Sequence, residues 1–305
     1  MGLLDGKVVL VTGGGRGIGR ETALIAAKHG AKVVVNDLGG DVHGQGTDKA
    51  PAQEVVELIK AAGGEAIANT ESVTDLAAVN RMVQQAMDTF GGLHAIANPA
   101  GILRDRMVHN MTEDEWDAIM TVHLRGHFNV VRASINHFRS QQDGCYLMFS
   151  SGSGLIGNVG QTNYGAAKNG IAAFSRIVAM EGARNNVRSN AIAPGAATRM
   201  TDSVPRDEEA AKRREATREM QSPVRPAELT VALMTDAAKS ISGQVFGAGG
   251  YNLSVYSQPR PIKSFSREGG WDVPAILKDF FPRAEELYTP LARTAPAPAI
   301  PVPVS

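Results

Sequence analysis

From Lys7 to about Leu253, short runs of β-branched residues alternate with alanine-rich stretches whose apolar positions recur every three or four residues. Short continuous apolar runs bounded by turn residues mark buried strands, and the three-to-four recurrence marks helices. The pattern predicts strands over 7–12, 31–37, 66–72, 94–98, 145–150, 187–193 and 243–246. It predicts helices over 19–30, 53–62 and 76–90, a long helix over 116–138, and another that carries Tyr164 and Lys168. Such alternation implies an α/β fold: one doubly wound parallel sheet with helices on both faces.

Two segments break the rhythm. Residues 201–225 are dense in charge, with Arg206-Asp207-Glu208-Glu209 and Lys212-Arg213-Arg214-Glu215, and read as a solvated helix. Beyond Leu253 proline becomes frequent. Residues 271–288 carry an amphipathic pattern through Ile276, Phe280 and Leu287, and residues 295–303 form a Pro/Ala tail expected to be extended. The predicted organisation is a domain over 1–254 and a C-terminal extension over 255–305.

Composition narrows the choice. The chain has 305 residues, 43% hydrophobic and 20% charged, which suffices for one large domain. Lys and Arg total 31 and Asp and Glu total 31, so no net charge argues for nucleic acid or an anionic membrane. The single cysteine, Cys145, excludes an internal disulfide and reads as a buried structural thiol. No run reaches the roughly 18–20 apolar residues of a membrane span. The N-terminal residues lack signal-peptide architecture, so a soluble cytoplasmic protein is expected.

The candidate chemistry lies in three places. Thr12-Gly13-Gly14-Gly15-Arg16-Gly17-Ile18-Gly19 follows the first strand and opens the first helix. Glycines there permit a tight turn and close approach of the backbone to a diphosphate, and the helix start supplies free N–H groups. Asp37 ends the second strand, where a carboxylate can accept hydrogen bonds from both ribose hydroxyls of NAD and repel a 2′-phosphate. Arg16 argues the other way, since a guanidinium can pair with that phosphate; Asp37, at the ribose position itself, favours NAD over NADP. Tyr164 and Lys168 stand four apart, so one helical turn places them on one face, and Ser151 precedes the tyrosine by thirteen residues. A fixed cation beside the phenol is expected to lower its pKa and make it a better base. His123 and His127 are also four apart, but no third ligand accompanies them, so no metal site is expected.

Together with Asn98-Pro99-Ala100-Gly101 and Pro194-Gly195, these residues resemble the short-chain dehydrogenase/reductase family, over about Gly6 to Leu253. Asn36-Asp37-Leu38-Gly39-Gly40, Gly101-Ile102-Leu103-Arg104-Asp105-Arg106 and Val122-His123-Leu124-Arg125-Gly126 look like the dehydrogenase domain of peroxisomal type-2 multifunctional enzymes. The resemblance implies a Rossmann-like domain. It implies Gly13, Arg16, Gly17, Ile18 and Gly19 at the diphosphate, and Ser72 and Val73 at the adenine. Asn98, Ala100 and Gly101 would lie beneath the adenosine ribose and nicotinamide side. Pro194, Gly195 and either Thr198 or Thr201 would face the nicotinamide. The family usually has aspartate at position 72 and a second asparagine at position 99. Pro99 forfeits any hydrogen bond from that amide. Ser151, Tyr164 and Lys168 would be catalytic. His123 stands where most members place an asparagine of the catalytic set, and for it a catalytic and a structural role are both open.

The implied reaction is hydride transfer between NAD and a secondary alcohol, either a (3R)-hydroxyacyl-CoA or a 17β-hydroxysteroid. Tyr164 would take the alcohol proton, Lys168 would support the phenolate, and Ser151 would donate to the developing carbonyl. Residues 198–225 would form a lid over the substrate, and a homodimer or homotetramer is implied. A serine hydrolase lacks support, because Ser153 has no Gly-x-Ser-x-Gly elbow and no histidine follows it. A non-catalytic NAD-binding protein is disfavoured by the intact Ser151, Tyr164 and Lys168.

Overall fold

The computed structural model describes residues 2–196 and 219–289. It divides into two compact units, residues 1–256 and 257–305. Most of the predicted charged helix and of the predicted lid, the Pro/Ala tail, Thr198 and Thr201 lie outside the described residues.

The first unit is built on an eight-stranded sheet. Its strands are β1 (Val8–Thr12), β2 (Lys32–Asn36), β3 (Ala66–Asn69), β4 (Ala95–Asn98), β5 (Gly144–Phe149), β6 (Val187–Gly195), β7 (Val245–Gly249) and β8 (Asn252–Val255). The order is β3-β2-β1-β4-β5-β6-β7-β8. Every neighbouring pair is parallel except β7 and β8. The antiparallel eighth strand departs from the all-parallel expectation. A tight turn with Gly250 at φ +60° suffices to reverse the chain there, whereas a parallel neighbour would need a crossover.

Helices α1 (Gly17–Lys28), α2 (Ala50–Ala61) and α8 (Val224–Met234) cover one face, and α3 (Leu76–Phe90), α5 (Gly126–Gln141) and α7 (Thr162–Gly182) the other. The strand pleat explains both cores. Val9, Val11, Val33 and Val35 pack with Ala23, Val55, Ile59 and Val231. Val8, Leu10 and Val34 point the opposite way, onto Met82, Val130, Phe138 and Ile171. Cys145 is buried in the first of these cores, and burial pushes its thiol up to about 11, which fits a structural role.

The long helix expected over 116–138 is interrupted. It begins earlier, as α4 (Glu113–Ile119), because Thr112 and Glu115 form a reciprocal capping box. A π-turn over Met120–Arg125 follows, in which Gly126 N–H reaches back five residues to the Thr121 carbonyl, and α5 then runs on to Gln141. A short helix α6 (Gly152–Leu155) precedes α7. Among the described residues no helix is long and apolar enough to cross a membrane.

In the second unit a helical stretch runs from Val273 to Leu287, capped by the Asp272 side chain on Ala275 N–H at 2.8 Å. Phe280 meets Phe265 and Trp271 edge-on, with ring centroids 5.5 and 6.0 Å away.

Candidate active site

The C-terminal ends of β1, β2, β4, β5 and β6 open into one cleft of about 510 Å³. Strand order reverses between β1 and β4, and open α/β sheets bind ligands at that point.

One wall is the glycine turn between β1 and α1. Gly13 has φ +58°, and a Cβ there would lie 2.9 Å from Ala100 Cα. A Cβ on Gly19 would collide with the Gly13 carbonyl oxygen. The start of α1 has no side-chain cap and no acidic residue in its first turn, so free N–H groups and a positive dipole end are left to an anionic ligand. Gly13, Arg16, Gly17, Ile18 and Gly19 all line the cleft. Gly19→Ala is expected to weaken NADH binding about tenfold or more, because the turn must shift to admit the methyl group. Fluorescence titration measures this, and an unchanged Kd would contradict the assigned cradle.

Asp37 follows β2 with both oxygens fixed. Oδ2 accepts from Gly15 N–H at 2.8 Å and Oδ1 from Gly39 N–H at 2.7 Å. Arg16 Nη1 donates to the Gly40 carbonyl at 3.3 Å, which turns its guanidinium onto the loop after β2. Ser72 and Val73 line the same end of the cleft, as do Ala100 and Gly101 after β4. Asn98 does not line it. Its side chain is buried and accepts a hydrogen bond from the Thr12 hydroxyl, tying β4 to β1. Pro194 and Ala196 line the cleft, whereas Gly195 between them does not. Sequence reasoning missed the loop after β2, where Asp41, Val42 and Gly44 reach the cleft. The Val42 carbonyl accepts from Leu103 N–H at 2.9 Å. A cluster of glycines between Asp37 and Lys49 was the available signal.

Ser151, Tyr164, Lys168 and His123 meet at the other end. Ser151 caps α6, its hydroxyl accepting from Ser153 N–H at 3.1 Å, and it also hydrogen-bonds the Tyr164 phenol. Lys168 Nζ lies 5.5 Å from the tyrosine ring centroid and donates to the Phe149 carbonyl at 2.7 Å. The tyrosine does not show the lowered pKa expected from the spacing alone. Burial pushes the phenol up to about 12; the Ser151 hydrogen bond works against that rise, and the Asp105 charge adds to it. The lysine is itself pushed down to about 7 by burial, so near neutral pH it carries the positive charge only in part.

The π-turn explains His123. Its imidazole is fully buried, with Nε2 2.8 Å from the Ile102 carbonyl oxygen and 3.1 Å from Ile102 N, and its Nδ1 has no hydrogen-bond partner. The ring meets Tyr164 edge-on at 5.2 Å. Burial, with the Lys168 charge second, holds it neutral, far below the ordinary histidine range. His127 Nδ1 donates to the His123 carbonyl at 2.6 Å, Phe149 N–H donates to its Nε2 at 3.4 Å, and burial pushes it down to about 3. Both histidines are therefore neutral and committed to the backbone that frames Tyr164 and Lys168.

A glycine turn against an uncapped helix, facing a tyrosine, a lysine and a serine across one cleft, suits a dinucleotide beside a secondary alcohol. The chain belongs to the short chain dehydrogenase family, whose profile matches residues 7–209. Members of this family bind a nicotinamide dinucleotide, and relatives that the chain matches are named dehydrogenases and reductases. The chain is 50% identical over 200 residues to peroxisomal multifunctional enzyme type 2 of Mus musculus, a match covering 66% of this chain and 27% of the mouse protein. It thus spans about a quarter of that relative's length. It is 38% identical over 297 residues to hydroxyacyl-CoA dehydrogenase ChsB1 of Mycobacterium tuberculosis, covering 91% of this chain and 89% of that one. The crystal structure of a short chain dehydrogenase from Mycobacterium avium superposes with a TM-score of 0.80 at 39% identity, covering 94% of this chain and 96% of that one.

Proposed function

We propose that the protein is an NAD-dependent dehydrogenase that oxidises the secondary alcohol of a (3R)-hydroxyacyl-CoA to the ketone. The observation that carries this reading is the meeting of Ser151, Tyr164 and Lys168 in the cleft that holds the glycine cradle. The substrate class follows the relative aligned over nine tenths of this chain, which is named a hydroxyacyl-CoA dehydrogenase. When bound, the oxidised dinucleotide supplies the hydride acceptor and a positively charged ring.

The remaining steps belong to this chain. Tyr164 takes the hydroxyl proton, Ser151 donates to the oxygen as it becomes a carbonyl, and Lys168 offers positive charge behind the phenol. His127 bonds the His123 carbonyl in the π-turn, and through Phe149 N–H it holds the strand end whose carbonyl orients Lys168. Water exclusion by the buried walls strengthens each of these interactions.

Asp37 supports NAD over NADP, since its fixed carboxylate would face a 2′-phosphate while Arg16 is engaged at Gly40. Asp37→Asn is expected to raise the ratio of kcat/KM for NADP to that for NAD about tenfold or more, by removing a repulsive charge. An unchanged ratio would remove Asp37 from cofactor selection. A panel of (3R)-hydroxyacyl-CoA esters of several lengths, a steroid-side-chain CoA ester and free 17β-hydroxysteroids tests the substrate, with activity confined to the steroids overturning the proposal. The same reading takes the cytoplasm as the compartment. It takes a homodimer or homotetramer as the assembly, supported by Phe128 on α5 and by Ile177 and Met180 on α7, all exposed.

A further inference from the structure

The segment after β4 is clamped to the start of α7 at several points within one helical turn of Tyr164. Asn163, fully buried, donates through Nδ2 to the carbonyls of Arg104 at 2.9 Å and Glu115 at 3.0 Å, while its Oδ1 accepts from Tyr164 N–H at 2.7 Å. Arg106 N–H donates to the Gly160 carbonyl at 2.8 Å. Gln161, also buried, donates from Nε2 to Asp105 Oδ2 at 2.7 Å, and its Oε1 accepts from Asn158 at 3.0 Å. A carboxylate is thus held in place beside the tyrosine's helix, although its own residue is exposed.

We propose that Asp105, clamped by Gln161 one helical turn before Tyr164, is a positioning residue of this site that sets the pH range in which the enzyme works. The inference rests on the reading of Tyr164 as the proton-transfer group. Among the described residues the groups around the phenol are Lys168 on the same helix, His123 on the π-turn, Ser151 at the start of α6, and Asp105. Lys168 favours loss of the phenol proton and His123 is neutral. Among the described residues Asp105 is the acidic group whose charge reaches the phenol, and a nearby anion opposes formation of a second one. The groups acting on Asp105 are Gln161, through its hydrogen bond, and His43, from the loop after β2. The neighbouring Arg106 is taken up by Glu115, with Nε 2.7 and 2.8 Å from its two oxygens. Asp105 therefore keeps Tyr164 protonated to higher pH than the rest of the pocket alone would.

The test uses Asp105→Asn, which retains an oxygen for Gln161 but loses the charge, and Asp105→Glu, which retains the charge. In alcohol oxidation the rise of kcat/KM with pH should move to lower pH in Asp105→Asn by about half a unit or more, and stay near the wild-type position in Asp105→Glu. A second readout needs no turnover. Near-ultraviolet phenolate absorbance, taken as the difference between each protein and its Tyr164→Phe counterpart, should likewise begin at lower pH in Asp105→Asn. A variant that loses kcat at every pH without moving the rise, or an unshifted absorbance difference, would overturn the inference. If Tyr164→Phe stays active, the reading of Tyr164 itself fails. The absorbance difference still decides whether Asp105 acts on that phenol.

Discussion

Tyr164→Phe is expected to lower kcat by about two to four orders of magnitude, the range that a positioned acid–base group contributes. Dissociation of NADH should change little. The ring keeps its edge-on contact with His123 and its place beside Lys168, and the substitution removes only the hydroxyl that hydrogen-bonds Ser151. A fall in kcat with intact NADH binding assigns the hydroxyl to the chemical step. Near-normal turnover would mean that another group moves the proton.

Lys168→Met is expected to do two opposite things. Activity should be lost, since the positive charge behind the phenol disappears. Stability should rise, by about 1–3 kcal/mol near neutral pH. The buried amine is pushed from 10.5 down to about 7, so the unfolded chain binds a proton that the folded chain holds poorly. At about 1.4 kcal/mol per pH unit the penalty is a few kcal/mol, partly offset by the hydrogen bond to the Phe149 carbonyl that the variant forfeits. The sign fixes the pH dependence. The penalty is largest at and below about pH 7 and shrinks as pH rises towards 10.5, so the gap between variant and wild type should narrow over that window. Thermal unfolding of both proteins at several pH values reads this directly. A variant less stable than wild type throughout would show that the lysine is a structural residue, not one kept at a cost for function.

What the sequence disclosed about this fold was local. β-branched runs, the glycine turn and the tyrosine–lysine spacing each lie within a dozen residues, and the structure forms strands, turn and helix where those patterns stand. What stayed hidden depends on contacts made across the chain. The π-turn follows from backbone bonds that reach back five residues, as Gly126 N–H does to Thr121, and from histidines that bond to backbone, and no periodicity marks it. The side chain of Asn98 is taken by Thr12, 86 positions away, a contact that no local pattern shows. The clamp on Asp105 joins positions 56 apart, so no local pattern marks the role of its carboxylate. The rise of the Tyr164 pKa was equally invisible, because spacing reveals a neighbouring lysine but not how little water surrounds the pair. Helix α8 was missed because proline and charge just before it masked its apolar face, where Val231, Leu233 and Met234 join the core.

The central claim is that this site oxidises a (3R)-hydroxyacyl-CoA with NAD, and one measurement addresses it most directly: NADH formation by the wild-type protein on separate (3R) and (3S) enantiomers of one hydroxyacyl-CoA. The account predicts NADH formation with the (3R) enantiomer, little with (3S), and none with either in Tyr164→Phe. Turnover of neither enantiomer, or of (3S) in preference, would contradict it.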